Sequence, residues 1–131
     1  MDPTRKVVLI VDDEPGMRDM LRWSLGGEAF DVALARDGEE ASALIAAGGV
    51  DLVVTDITMP RLGGFAVLEA AGRAGTPVIM MTGFGTVEMA VHALRRGASD
   101  FLLKPFDAAR LAERIGEALR RPDSPGPRAP S

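Results

Sequence analysis

The sequence contains no cysteine and no tyrosine, and it has only one histidine and one tryptophan. Without cysteine the chain has no thiol nucleophile, no disulfide and no thiolate metal ligand, and the lone His92 cannot build a multi-histidine zinc site. A single Trp also leaves few platforms on which single-stranded nucleic acid could stack. These absences exclude thiol catalysis and the common zinc sites.

Long apolar runs and a strong charge bias are missing as well. No segment approaches the roughly 18 consecutive apolar residues that span a bilayer, and Asp12 and Asp13 end the first apolar run too early for a signal peptide. The net charge of −4 argues against a bare nucleic-acid or membrane-surface binder. With 131 residues, 47% hydrophobic and 26% charged, the chain is typical of one globular domain. We expect a cytoplasmic domain without direct contact to membrane or nucleic acid.

Short strand-like runs alternate with helical patterns along the chain. The predicted strands cover residues 7–11, 31–35, 52–55, 77–81 and 101–103, and the weak second run is expected at an edge. Five such units predict an α/β domain, a doubly wound five-stranded parallel sheet with helices on both faces. The flavodoxin-like strand order 2-1-3-4-5 is known for such sheets and is applied here rather than deduced.

The helical segments have recognisable ends and apolar positions. The residues placed to cap helices are Asp37, Thr86 and Asp107. The methionines expected to fill the core are Met17, Met20, Met80 and Met81. His92 falls on a helix at a solvent-facing or half-buried position, where we expect no catalytic role. The domain is predicted over residues 1–121, and the four prolines of residues 122–131 predict a flexible tail or linker.

Polar residues come directly after four of the predicted strands. Asp12 and Asp13 follow the first strand and Asp56 follows the third, while Thr82 follows the fourth and Lys104 the fifth. Sites in open parallel sheets lie outside the carboxyl ends of the strands, where the strand order reverses. We therefore expect the three aspartates to converge between strands 1 and 3, with Thr82 and Lys104 on the adjoining rim.

Converging carboxylates point to cation and phosphate chemistry. Three of them together repel, which raises at least one pKa unless a cation intervenes, and Mg²⁺ suits such hard oxygen ligands. With Mg²⁺ and Lys104 the pocket could hold a phosphoryl group, which a carboxylate could attack at phosphorus. Each residue alone has an ordinary interpretation as a helix cap, a turn residue or a solvated charge, so the hypothesis depends on their convergence.

Three stretches of the sequence resemble the receiver domains of two-component response regulators, and they read VLIVDDEPGMR, VVTDITMPRLGGF and VIMMTGFGTVEMAVHALRRGASDFLLKPF. With the final amphipathic helix they cover nearly the whole chain up to about Arg121. Three motifs are together specific for this family, although each is weak alone. They are the acidic pair Asp12-Asp13, the D-x-x-M-P turn at residues 56–60 and the K-P-F sequence at residues 104–106. The fourth and fifth units are most similar to receivers of the nitrogen-regulator and nodulation-type transcriptional branches.

The resemblance implies roles for the acidic residues. Asp56 corresponds to the phosphoacceptor. Asp12 and Asp13 correspond to the acidic pair that holds Mg²⁺ together with Asp56, and the backbone carbonyl of Thr58 is the expected further ligand. Thr58 is also at one of the two positions where family members vary the lifetime of the phosphate.

The resemblance also implies the conformational switch. Thr82 corresponds to the hydroxyl switch residue, Lys104 to the lysine that contacts the phosphoryl group, and Phe101 to the aromatic switch position. Since Phe101 has no hydroxyl, a switch there would depend on packing. A cis Lys104–Pro105 peptide is implied, and Phe84 is at the second position that varies the lifetime of the phosphate.

The function implied is that of a phosphoacceptor. A sensor histidine kinase would phosphorylate Asp56, and the surface of the fourth helix, fifth strand and fifth helix would then control an output domain or a downstream protein, typically in transcription regulation. The domain would catalyse only its own phosphorylation and dephosphorylation, so it is not expected to be an enzyme with a separate substrate. The sequence does not decide whether the domain forms a homodimer. It also does not decide between a single-domain regulator and part of a longer protein.

Three other functions stay in view. A phosphohydrolase using an aspartyl phosphate would need a D-x-D-x-T run after the first strand, where this chain has Asp12-Asp13-Glu14-Pro15. A flavin or nucleotide binder would need a Gly- or Ser-rich phosphate loop there, and the acidic pair opposes it. A degenerate receiver that serves only as a docking module is opposed by the complete set of acidic, hydroxyl and lysine residues.

Overall fold

The computed structural model describes residues 5–25, 30–59, 63–83 and 85–120. In these ranges strands and helices alternate as β1 Lys6–Val11, α1 Pro15–Leu25, β2 Phe30–Ala35, α2 Gly38–Ala47, β3 Leu52–Asp56, α3 Gly64–Ala74, β4 Val78–Thr82, α4 Val87–Arg95, β5 Asp100–Leu103 and α5 Ala108–Arg120. The strands pair in parallel in the order β2-β1-β3-β4-β5. The predicted fold, the strand order and the edge position of the second strand are confirmed.

The two faces of the sheet form two separate apolar cores. Successive strand residues point to opposite faces, so Val8 and Ile10 of β1 pack with α1 and α5, whereas Leu9 and Val11 pack with α2, α3 and α4. Because both faces are covered, β1, β3 and β4 are near-continuous apolar runs. The doubly wound arrangement therefore follows from the strand composition.

The predicted caps begin the helices as expected. Backbone N–H groups of α2, α4 and α5 donate to Asp37 (2.8 Å), Thr86 (3.1 Å) and Asp107 (2.8 Å), which satisfies amides that have no partner inside a helix. These three side chains fix the points at which the chain leaves the sheet edge and enters a helix.

One core prediction is wrong. Met80 and Met81 are fully buried in β4 and Met17 packs against the α1–α5 side, but Met20 is 43% exposed. Met20 lies on the part of α1 that turns away from the sheet, next to the 89% exposed Trp23. The inward positions of this short helix are Leu21 and Leu25, so the apolar stripe is narrower than the sequence pattern indicated.

Some predictions concern residues outside the described ranges. The tail at 122–131, the exact end of the domain and the position of Phe84 belong to this group and stay predictions. Among the described residues, no helix combines the length and apolar character needed to cross a membrane.

Candidate functional site

The ends of β1, β3, β4 and β5 meet at one edge of the sheet. Asp56 closes β3 and its Cα is opposite that of Met81 in β4, while Thr82 closes β4 opposite Leu103 of β5. Asp12 and Lys104 each follow the last residue of a strand. Parallel pairing therefore brings four strand ends into one crevice, as the sequence predicted.

Three carboxylates converge in this crevice. Asp12, Asp13 and Asp56 each offer an oxygen, and these oxygens all lie within 4.8 Å of one another. Asp12 is fully buried and Asp56 is 7% exposed, whereas Asp13 is exposed. The cluster thus has two buried members beneath one that faces solvent.

Lys104 links the two buried carboxylates. Its Nζ donates to Asp12 Oδ2 at 2.9 Å and to Asp56 Oδ2 at 2.8 Å. Burial disfavours the ammonium charge and by itself would lower the pKa of Lys104. The hydrogen bonds to Asp56 and Asp12 and the charges of both carboxylates outweigh burial and raise that pKa above 10.5. Lys104 therefore carries its proton throughout the physiological range.

Backbone amides hold the remaining carboxylate oxygens. The N–H of Glu14 donates to Asp12 Oδ1 at 2.9 Å, and the N–H of Thr58 donates to Asp56 Oδ1 at 3.1 Å. Asp12 and Asp56 are thereby fixed in orientation on both oxygens. The exposed Asp13 carboxylate offers its oxygen to the cluster from the solvent side.

The charge of the pocket fits a divalent cation. Three carboxylates and one ammonium leave a formal charge of −2, and carboxylate oxygens are ligands that Mg²⁺ prefers. The residues that could hold Mg²⁺ are Asp12, Asp13 and Asp56. Thr58, whose backbone carbonyl is the expected further ligand, is exposed two residues after Asp56. The carboxylate oxygens and the net negative charge of the pocket both fit the predicted Mg²⁺ ion.

Thr82 and Phe101 lie on neighbouring strands, β4 and β5, and both are close to Gly85. Thr82 is fully buried and its backbone carbonyl accepts from the N–H of Lys104 at 2.9 Å. Phe101 is partly buried against the α2–α3–α4 core. A Cβ added to Gly85 would lie 3.1 Å from Thr82 Cγ2 and 3.2 Å from Phe101 Cε1. Gly85 in the loop before α4 therefore lies close to both predicted switch residues.

Two contributors to the site were missed by the sequence analysis. Arg18 Nη1 donates to the backbone carbonyl of Asp12 at 2.6 Å, which anchors the acidic loop to α1. Gly64 packs so closely on β3 that an added Cβ would lie 2.4 Å from the carbonyl oxygen of Asp56. A glycine at this point of the sequence is the signal that could have indicated such a close backbone approach.

Comparison with known proteins agrees with this geometry. The sequence profile described as "Response regulator receiver domain" matches residues 8–116. The chain belongs to the response regulator receiver domains. It is therefore a signalling domain of two-component systems, and the phosphohydrolase and flavin-binder alternatives are set aside. The Lys104–Pro105 peptide is cis, as the resemblance implied.

Curated relatives extend well beyond this receiver domain. The chain is 40% identical over 119 residues to "Response regulator protein PilR" of Pseudomonas aeruginosa, covering 89% of this chain and 27% of that protein. It is 38% identical over 126 residues to "Transcriptional regulatory protein ZraR" of Salmonella typhimurium, covering 95% of this chain and 29% of that protein. The chain thus spans less than a third of either relative.

A solved receiver domain has the same fold over its whole length. The crystal structure of the receiver domain of NtrX from Brucella abortus superposes with a TM-score of 0.80 at 39% identity, covering 87% of this chain and 98% of that one. The similarity to PilR and ZraR agrees with the predicted nitrogen-regulator-type branch.

Proposed function

We propose that this receiver domain accepts a phosphoryl group on Asp56 from the phosphohistidine of a sensor histidine kinase. The observation that carries the proposal is the position of Lys104, whose ammonium donates to both Asp12 and Asp56 inside a cluster of three carboxylates. A carboxylate nucleophile here lies beside a metal-ligand set and a fixed cation, and phosphoryl transfer to a carboxylate needs both.

In the proposed transfer, one carboxylate oxygen of Asp56 attacks phosphorus in line with the P–N bond of the phosphohistidine. The O–P bond forms as the P–N bond breaks, the electron pair of the P–N bond stays with the imidazole, and the imidazole takes up a proton from water. Lys104 and the N–H of Thr58 hold the two carboxylate oxygens of Asp56 in position. The protein acts mainly by holding charged groups in position.

Asp12, Asp13 and Asp56, with the backbone carbonyl of Thr58, would hold Mg²⁺. When bound, the ion supplies positive charge opposite the phosphoryl oxygens, which the carboxylates alone would repel. Lys104 supplies the second positive charge. Its ammonium already contacts the acceptor carboxylate, so it can follow the new phosphoryl group with a small rotation of a flexible side chain.

Phosphorylation would then alter the far side of the domain. The new group adds close to two negative charges and three acceptor oxygens. The Thr82 hydroxyl would donate to one of these oxygens, and the Phe101 ring would follow into the space that Thr82 leaves. Thr82 and Phe101 both lie so near Gly85 that an added Cβ would touch each of them, and this closeness supports the coupling. The phosphoryl group has to bind the switched arrangement more tightly, by about 1.4 kcal/mol for each tenfold shift in population.

The surface expected to change consists of α4, β5 and α5. It carries apolar side chains that are open to solvent, namely Val87, Val91, Leu94 and Leu103. Exposed apolar groups gathered on one side of a domain are typical of interaction sites. We propose that this surface controls an output domain or a downstream protein. The name of ZraR as a transcriptional regulatory protein favours transcription as the output.

The test compares two Asp→Asn variants at the same edge of the sheet. The wild-type protein and Asp37→Asn should each gain one phosphoryl group in intact mass when incubated with acetyl phosphate and Mg²⁺, and Asp56→Asn should gain none. Asp37→Asn is a matched control because Asn caps helices about as well as Asp, so α2 keeps its N-cap. Labelling of Asp56→Asn at the wild-type rate would show that Asp56 is not the acceptor. A wild-type protein that takes up no phosphoryl group would favour a docking module without phosphorylation.

A further inference from the structure

Helix α4 is held to the domain by very few buried side chains. Among its nine residues, Val87–Arg95, only Ala93 is fully buried, while Val87, Val91 and Leu94 are 76%, 41% and 48% exposed. A helix this short is marginal on its own, so tertiary contacts must fix its position. Of the other α4 side chains, the partly buried Met89 also packs on the core. The contacts of Ala93 and Met89 leave the orientation of the helix weakly determined.

Additional contacts come from the side of α4 that faces α3. The ring of Phe65 in α3 lies 5.1 Å from the ring of His92 in α4, with an angle of 54° between the ring planes. The guanidinium carbon of Arg96, at the C-cap of α4, lies 5.7 Å from the centre of the Phe65 ring. Both distances fall in the ranges of favourable aromatic and cation–π contacts. Arg96 also reaches Glu69 of α3 at 3.6 Å.

Phe65 is itself fixed against the phosphoacceptor strand. The N–H of Gly64 donates to the carbonyl of Ile57 at 2.9 Å, and the Gly64 Cα approaches the Asp56 backbone so closely that a Cβ would overlap it. The first turn of α3 therefore lies directly on the end of β3. Since Phe65 is the next residue, a shift of the Asp56 backbone would carry the ring with it.

We propose that Phe65, His92 and Arg96 form an α3–α4 clamp that sets the position of α4, with Phe65 as its positioning residue. The clamp connects the backbone of Asp56 to α4 through α3, and this path does not pass through Thr82 or Phe101. Its effect on the resting position of α4 is independent of phosphorylation. Its part in signalling rests on the proposed function.

The first test uses two neighbouring arginines in the unphosphorylated protein. Arg96→Ala removes the cation over the ring, whereas Arg95→Ala removes an exposed arginine one position earlier and leaves the clamp intact. Amide hydrogen exchange of the peptide covering Val87–Arg95 should rise about two- to fivefold in Arg96→Ala, the effect of one exposed cation–π contact, because the solvent-exposed Arg96–Glu69 pair adds little. It should stay at the wild-type rate in Arg95→Ala. Equal exchange in the two variants would overturn the clamp.

A second pair of variants separates the aromatic ring from simple apolar bulk. Phe65→Tyr keeps the ring and should retain wild-type exchange in α4, whereas Phe65→Leu keeps an apolar side chain without the ring and should raise the exchange as Arg96→Ala does. The double variant Phe65→Leu/Arg96→Ala should raise the exchange by less than the product of the two single effects, because the Phe65–Arg96 contact is lost in both single variants. A rise in exchange equal to the product of the two single-variant rises would contradict a contact shared by Phe65 and Arg96.

The phosphorylated protein tests the coupling. With phosphorylation followed by intact mass, the wild-type α4 should change its exchange when Asp56 is phosphorylated, and that change should shrink in Arg96→Ala at equal phosphorylation. An undiminished change would overturn the coupling and leave Thr82 and Phe101 as the sufficient path. If no phosphoryl group is taken up, the proposed function fails, while the unphosphorylated comparison still decides whether the clamp exists.

Discussion

Replacing Gly64 with alanine should destabilise the domain even though alanine favours helices. Gly64 is the first residue of α3, and a Cβ there would lie 2.4 Å from the carbonyl oxygen of Asp56 and 2.7 Å from the Cα of Ile57. Both are backbone atoms, so no side-chain rotation relieves the overlap. Overpacking of this kind costs up to about 3 kcal/mol, and helix propensity returns at most about 1 kcal/mol. We expect Gly64→Ala to lower the free energy of unfolding by about 2 kcal/mol.

Gly16 provides the matched control. It is the second residue of α1, and a Cβ there would meet no atom within 4 Å. Gly16→Ala should therefore stabilise the domain by up to about 1 kcal/mol through helix propensity alone. Both substitutions are Gly→Ala in the first turn of a helix. If they change the free energy of unfolding in opposite directions, the close approach of α3 to β3 is the cause of the destabilisation in Gly64→Ala.

Urea unfolding followed by far-ultraviolet circular dichroism measures both free energies. Tryptophan fluorescence is a poor probe here because Trp23, the only tryptophan, is already 89% exposed in the folded protein. A Gly64→Ala protein as stable as the wild type would refute the reasoning, since it would show that the end of β3 and the start of α3 can separate without cost. Loss of stability in Gly16→Ala would refute it as well.

Two further predictions concern the charges of the pocket. Asp13→Asn should weaken Mg²⁺ binding in calorimetric titration while changing the metal-free stability by less than about 0.5 kcal/mol, because the Asp13 side chain is exposed; unchanged Mg²⁺ affinity would remove Asp13 from the ligand set. Lys104→Ala should still bind Mg²⁺ but should lose about 3 kcal/mol of metal-free stability, because Asp12 and Asp56 lose their shared cation. Its phosphorylation should no longer alter the exchange of α4, and an unaltered response would count against the switch.

Much of the fold was predictable because the physical rules act along the chain. The apolar runs of β1, β3 and β4 are continuous because both faces of the sheet are covered, and that composition is visible without coordinates. Asp37, Thr86 and Asp107 could be identified as caps because a cap acts within its own helical turn. The strand order was applied from known sheets, since alternation alone does not decide which strands are neighbours.

The convergence of the pocket was also predictable, because parallel strands end at a common edge. The contacts inside the pocket were not predictable from the sequence. Whether Lys104 would point away into solvent or link Asp12 to Asp56 depends on how the β5–α5 loop turns, which no local pattern specifies. The approach of Gly64 to Asp56 likewise depends on the path of the preceding loop.

Contacts between helices far apart in sequence escaped the sequence analysis for a related reason. His92 was expected on a solvent-facing or half-buried part of a helix, and its side chain is exposed, but its packing on Phe65 requires the relative placement of α3 and α4. Met20 was assigned to the core from spacing alone, although the orientation of α1 on the sheet leaves it at the surface. Periodicity identifies an apolar stripe and leaves its width undetermined.

The central claim is that Asp56 carries the phosphoryl group in the pocket formed with Asp12, Asp13 and Lys104. Its most direct test is to treat the phosphorylated protein with borohydride, which reduces an aspartyl phosphate to homoserine, and to locate the homoserine by tandem mass spectrometry. We predict homoserine at position 56 alone. Homoserine at position 12 or 13, or none at all in protein whose mass shows a phosphoryl group, would contradict the account.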